Sequence, residues 1–284
     1  VYHDIEVQQS VENYQLGSLR LPTLGRSGEL LGHGVGSSLE FQEYRQYIPG
    51  DDIRHLDWSA YARTDQLMIR LYREEISPRL QILVDGSRSM TSGTGRKPRV
   101  ARQLAALFAL LSGRIGGQPQ IVPVEDDVPQ PFGLEGISRL ESLAFTGRGT
   151  LANTLQTNRL VLQKRSVRIV ISDFLFPHDP EQMIRQLAAD ASALWVVQVL
   201  AEWESDPTPT GGRRLIDAET DQQSDLVLDQ RTIASYRQRL EKLQEGLVIA
   251  CRKSNARFAV VVADHGLPRL CREDLSLAGM VRAG

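Results

Sequence analysis

Three short segments of the chain carry residue types suited to a hard divalent cation. They are Asp85-Gly86-Ser87-Arg88-Ser89-Met90, Gly147-Arg148-Gly149-Thr150 and Ser172-Asp173. Mg2+ and Mn2+ take oxygen ligands, and Mg2+ keeps several of its waters. Asp85 and Asp173 would supply charge, and the hydroxyls of Ser87, Ser89 and Thr150 neutral oxygens. Alternate spacing lets Asp85, Ser87 and Ser89 converge from one loop. So few carboxylates would leave the cation electrophilic, with an open position for a carboxylate from a partner. Arg88, Arg148 and Phe174 stand beside these ligands and are the candidate partner-facing residues. Taken alone, the first segment also fits an aspartate-capped turn with serines capping the next helix. The preceding strand and the other two segments, in this order, favour the cation.

The elements that must position these residues are legible in the apolar pattern. Gln81 to Val84 is a short, nearly continuous apolar run that stops at Asp85-Gly86. Runs of that length read as strands buried on both faces. Ile121 to Val124, Val167 to Ile171, Leu194 to Leu200 and Phe258 to Val262 are similar. Between them lie helix candidates at Arg99 to Ile115, Ile137 to Ala144, Leu151 to Gln163, Pro180 to Ala189 and Thr232 to Lys253. In the first of these, Leu104, Leu107, Phe108 and Leu111 share one helical face. Such alternation predicts an α/β fold: a doubly wound, mostly parallel sheet with helices on both faces. All three chemical segments then fall at carboxyl ends of strands or in the loops that follow, where such sheets bind ligands.

Residues 1–78 differ in texture, with many glycines and short apolar runs. They predict loops and short strands, with Pro49-Gly50-Asp51-Asp52 as a turn. Leu67, Ile69 and Leu71 alternate with polar residues, which predicts a half-buried strand at the edge of the core. The expected organisation is an N-terminal extension over 1–78 docked on a core domain over 79–275, with a hairpin insertion at 213–230 and a tail at 276–284. Lys plus Arg number 33 and Asp plus Glu 35, a net charge of −2, which gives no electrostatic case for nucleic acid. No stretch has the roughly 18 to 20 apolar residues that span a bilayer. Cys251 and Cys271 belong to no CxxC pair, so two reduced thiols in a cytoplasmic protein are expected.

The first segment looks like the metal-site motif of von Willebrand factor A domains, with Thr150 and Asp173 matching that fold's second-loop threonine and third-loop aspartate. Phe174 departs from the glycine that many such domains carry there. Upstream, Glu40-Phe41, Arg45 to Asp52, Ile53 to Trp58 and Ala62-Arg63 resemble the signature of the bacterial domain-of-unknown-function-58 family. Asp217 to Thr220 and Tyr236 fit it too, so the resemblance runs from about residue 16 to about residue 275. It implies a von Willebrand factor A-like fold, a metal-ion-dependent adhesion site, and a role with a MoxR-type AAA+ ATPase or its client in assembling or maturing other proteins.

Other candidates are weaker. Gly93-Thr94-Gly95-Arg96-Lys97 lacks phosphate-loop spacing, and Pro98 stands where a hydroxyl residue is needed. Arg96, Lys97, Arg99 and Arg102 read instead as a solvated loop and helix start. The charged residues between Arg45 and Glu75 read as an ion-paired network, and Trp58 as packing. None of the five histidines sits in HExxH or beside a serine or cysteine nucleophile, and His178 alone lies near Asp173. A binding module is therefore expected rather than an enzyme. A magnesium-assisted hydrolase or phosphotransferase using the same aspartates is one alternative; a scaffold with a vestigial site is the other.

Overall fold

Five apolar runs become five parallel strands, and their order decides where a ligand can sit. The computed structural model describes residues 4–18, 39–74, 79–157, 159–208, 211–216 and 223–284. In chain order the elements begin with α1 (Ile5–Asn13), β1 (Tyr14–Leu16), β2 (Leu39–Gln46), α2 (Trp58–Thr64), β3 (Met68–Glu74), β4 (Arg79–Asp85), α3 (Arg96–Arg114) and β5 (Gln118–Val124). They continue with α4 (Leu151–Gln156), β6 (Val167–Ser172), α5 (Pro180–Ala188), β7 (Ala193–Leu200), α6 (Glu202–Ser205), β8 (Gly211–Ile216) and β9 (Gln223–Leu228). Last come α7 (Gln230–Lys253), β10 (Arg257–Val262), α8 (Leu267–Leu270) and β11 (Val281–Ala283).

The sheet order is β10-β7-β6-β4-β5, and every neighbouring pair is parallel. The chain starts at β4, steps one way to β5, returns to β6 and then moves outward the other way. That reversal between β4 and β6 is a topological switch point, where the carboxyl ends open a crevice. Asp85 ends β4, and Asp173 directly follows β6.

Each strand face has its own core, which is why the runs are continuously apolar. Leu80, Ile82 and Val84 of β4 join Leu104, Leu107 and Phe108 of α3 on one side. Leu83 joins Val170 and Val196, Met183 and Ile184 of α5, and Leu247 of α7 on the other. Gln81 and Arg168 are buried polar exceptions, and each is satisfied. Gln81 Oε1 accepts from Gln163 N (3.0 Å) and from Arg168 Nε (3.2 Å). Arg168 also donates to the carbonyls of Leu187, Ala189 and Gln163, closing the end of α5. Burial pulls its guanidinium down to about 10. The two cysteines are free and buried, and burial pushes the Cys251 thiol up to about 12 and that of Cys271 to about 11. Among the described residues, no helix is long and apolar enough to cross a membrane.

The chain divides into two compact units, Val1–Leu21 with Pro78–Gly284, and Pro22–Ser77. Several local expectations are corrected. Residues 5–13 form a helix, capped by Asp4, whose side chain accepts from Glu6 N at 3.0 Å. Val7 and Ser10 are its buried face. Residues 58–64 form a second helix, capped by Asp57, which also accepts from Tyr44 Oη at 2.8 Å. The strand around Ile69 pairs antiparallel with β2. The expected tail at 276–284 contains β11, antiparallel to β1, with Met280 and Val281 buried. Three residues are too few to show a period. The expected helix at 137–144 is a run of 3-10 turns over Leu134–Ser142. The helix begun at Leu151 ends at Gln156, where the Thr157 hydroxyl donates back to Asn153 O and Leu160 turns inward to be buried. The hairpin forms from β8 and β9, while Asp217 to Thr220 lie outside the described residues.

In the smaller unit the charged residues pair locally, Arg45 with Asp51 and Arg54 with Asp52, both at 2.7 Å. Trp58, expected as packing, is 64% exposed, with Tyr61 edge-on at 6.4 Å. Its position at the start of α2 holds it outside the buried face, which is Ala60.

Candidate metal centre

Asp85 is buried, and both its oxygens are engaged. Oδ1 accepts from Ser87 N at 3.0 Å, and the Ser172 hydroxyl donates to Oδ2. The Ser87 and Ser89 hydroxyl oxygens lie 3.0 Å apart. Burial, and then the nearby charge of Asp173, raise the Asp85 carboxyl to about 6 against the pull of these hydrogen bonds. Both aspartates are buried at the carboxyl ends of the neighbouring strands β4 and β6.

The second loop is laced to the first. Gly147 N donates to Gly86 O (3.1 Å), and Arg88 N donates to Gly147 O (2.8 Å). A side chain at Gly147 would bring a carbon to 3.1 Å from Gly86 O, so glycine permits this approach. Thr150 is buried and its Oγ1 accepts from Asn153 N (3.2 Å), capping α4. Asp126 pins the same loop from outside, accepting from Arg148 N at 2.9 Å and from Gly149 N at 2.5 Å. Those backbone donors hold its carboxyl below the usual aspartate range. A depressed carboxyl stabilises above its unfolded value and loses that contribution as pH falls through its lowered one. Hydrogen exchange should therefore find the Arg148 and Gly149 amides protected at neutral pH and released on acidification. Asp126→Ala should release them at every pH, with roughly 1 kcal/mol or less of global stability lost. Unchanged protection in the variant would show that Asp126 does not hold the loop.

Asp173 is fully buried. Its Oδ1 accepts from Leu175 N (3.0 Å), its Oδ2 from Lys97 Nζ (2.8 Å), and its carbonyl from Gln198 Nε2 (2.9 Å). Lys97 also donates to Glu204 Oε1 (2.9 Å) and Oε2 (3.0 Å), and to Ser92 Oγ (3.0 Å). Glu204 accepts from Ala201 N at 2.8 Å, and its carbonyl accepts from Tyr236 Oη at 2.9 Å. Burial, then Glu204 and Asp173, push the Tyr236 phenol upward.

Two expectations fail here. Lys97 is not solvated: it is wholly buried, because α3 turns its apolar face inward and Lys97 lies on that face with Val100, Ala101 and Leu104. Phe174 cannot meet a partner: it is fully buried among Val170, Phe176 and Met183. It also takes a left-handed backbone, φ +57°, the conformation that favours glycine. Arg148 is exposed and Arg88 half-buried. His178 is turned to Phe176 O (2.7 Å), not to the aspartates. Lys97, Glu204 and Asp126 were missed as site residues, and Ser172, though in the third segment, was given no role. The spacing of Lys97 from Val100, Ala101 and Leu104 was the available signal for the first; Glu204 and Asp126 carry none in sequence.

The donor set fits a hard cation. It comprises carboxylate and hydroxyl oxygens, with no imidazole or thiolate to favour zinc. Asp85 and Asp173 bring two buried carboxylates, and the one buried ammonium, Lys97, is shared between Asp173 and Glu204. With only two carboxylates among five candidate ligands, the donor set differs from metal clusters built on three or more acidic, histidine or cysteine side chains, of which the described residues hold none.

Comparison with known proteins places the chain. Uncharacterized proteins from Mycobacterium bovis and from two strains of Mycobacterium tuberculosis are each 29% identical over 206 residues, covering 68% of this chain. The match spans 65% of the length of those relatives. An aerotolerance-related membrane protein from Bacteroides fragilis aligns with a TM-score of 0.39 at 14% identity, over 69% of this chain and 98% of its own. The conserved hypothetical protein BatB from Bacteroides thetaiotaomicron aligns at 0.37 and 13%, over 71% and 98%. Residues 43–246 match the model of the family described as protein of unknown function DUF58, and the chain belongs to that family.

Proposed function

We propose that the chain is a cation-dependent protein-binding module of the von Willebrand factor A type. Asp85, Ser87, Ser89, Thr150 and Asp173 would hold Mg2+ or Mn2+. The observation that carries this reading is that buried Asp85 and buried Asp173 stand at the ends of neighbouring strands at the switch point of the sheet, with the Ser87 and Ser89 hydroxyls 3.0 Å apart beside Asp85. When bound, the cation supplies an electrophilic position that a partner's carboxylate can complete. The chain's own residues do the rest. Ser172 and Ser87 N aim Asp85, the Gly86–Gly147 contact brings up the second loop, and Leu175 N with Lys97 aims Asp173.

The partner proposed from the family resemblance is a MoxR-type AAA+ ATPase or its client, and the module is an adaptor in the cytoplasm, where ATP is available. A hydrolase or phosphotransferase would need a free general base or nucleophile. Lys97, the cation beside Asp173, spends its donors on two carboxylates and Ser92. Ser87→Ala combined with Ser89→Ala is expected to leave the fold intact and to cut recovery of native partners in a pull-down to the level reached by chelation. Equal recovery by wild type, double variant and chelated wild type would rule the site out as the binding element.

A further inference from the structure

Lys97 is the only fully buried lysine among the described residues, and it is shared. Its Nζ lies 2.8 Å from Asp173 Oδ2 and 2.9 and 3.0 Å from the two oxygens of Glu204. Glu204 is held in turn by Ala201 N and the Ser92 hydroxyl. Asp173 therefore meets the cation position with one oxygen already against an ammonium and the other on Leu175 N. Asp85, by contrast, has only neutral donors, Ser87 N and Ser172 Oγ.

We propose that Lys97 is a charge-setting, positioning residue that neutralises Asp173, leaving Asp85 as the one uncompensated carboxylate presented to the cation. This deepens, and rests on, the cation-binding reading. The consequence is a cation held loosely and left electron-poor, able to take a carboxylate from an acidic partner. Glu204 is the counterweight: by drawing the ammonium toward itself, it sets how much of that charge Asp173 receives.

Charge variants should shift affinity in opposite directions. Lys97→Met with Glu204→Gln removes the ammonium and its second partner together. Methionine fills the space of the lysine stem, and the glutamine oxygen still accepts from Ala201 N while its amide N–H2 can donate to Ser92 Oγ, whose own hydroxyl donates to Ser89 O. Asp173 then presents its full charge, and Mn2+ should bind roughly tenfold tighter or more, as a bare charge a few ångströms away implies at protein-interior screening. Glu204→Gln alone leaves the ammonium wholly to Asp173, and Mn2+ should bind several-fold more weakly. A lysine that merely supports the fold would give no gain in affinity when removed.

The test is a calorimetric Mn2+ titration of the full chain as wild type, both variants and Asp85→Ala, with free Mn2+ counted by electron paramagnetic resonance and folding checked by circular dichroism. The expected order is double variant tightest, then wild type, then Glu204→Gln, with no binding by Asp85→Ala. If wild type binds and Asp85→Ala does not, but the two charge variants fail to move apart in this order, the charge-setting role is overturned while the metal site stands. If none of the four binds, or Asp85→Ala binds like wild type, both ideas fall. Should the double variant not fold, Glu204→Gln decides the sign: weaker binding supports the role, and equal or tighter binding overturns it.

Discussion

Lys97→Ala is expected to lower the stability of the metal-free protein by about 3–5 kcal/mol, the cost of stranding buried partners of a broken ion pair. The side chain is 0% exposed and donates to Asp173, which is equally buried, and to Glu204, which is nearly so. Removing it leaves two carboxylates in a place with few other donors to quench them. Urea unfolding at neutral pH without added metal measures the loss. A loss below about 1 kcal/mol would place the network in the class of solvated pairs, worth that little or less, and would undercut the charge accounting of the site.

Phe174 gives the second large effect, with an unusual order of variants. Its ring is fully buried between β6 and α5, so Phe174→Ala is expected to cost about 3–5 kcal/mol. Its backbone is left-handed, which costs an L-residue about 1–2 kcal/mol and glycine nothing. Phe174→Gly should therefore be roughly 1 kcal/mol less damaging than Phe174→Ala, although it removes one more carbon. Denaturation midpoints of the two variants decide the matter, and alanine proving the milder change would remove strain from the account. The wild-type residue accepts local strain to gain a large core side chain beside Asp173.

The parts of the fold that could be read from sequence are those whose signal is local. The five core strands are buried on both faces and so appear as apolar runs, and Asp85 and Asp173 announced themselves by terminating two of them. Their adjacency was not legible, because apolar runs do not encode strand order; only the pairing of β4 with β6 brings the two aspartates together. Lys97 was obscured by its neighbours. Gly93 to Arg96 are exposed and polar, and the helical spacing of Lys97 with Val100, Ala101 and Leu104 was outweighed by that context. Phe174 shows the reverse error. An apolar residue next to a ligand suggests a contact surface, whereas the turn after β6 directs the ring into the core. The β1–β11 pair joins segments near the two ends of the chain, a contact that three-residue strands cannot signal.

Thermal unfolding with and without the metal is the sharpest check on divalent-cation binding through Asp85 at the switch-point pocket. A ligand bound only by the folded state stabilises by about 2.7 kcal/mol at a hundred times its dissociation constant. For a chain of this size each kcal/mol raises Tm by roughly 2–4 °C. Wild type is expected to gain several degrees in millimolar Mg2+ or Mn2+, reversed by chelation, and Asp85→Ala to gain nothing. A wild-type Tm indifferent to both ions, or an equal gain in Asp85→Ala, would contradict the account.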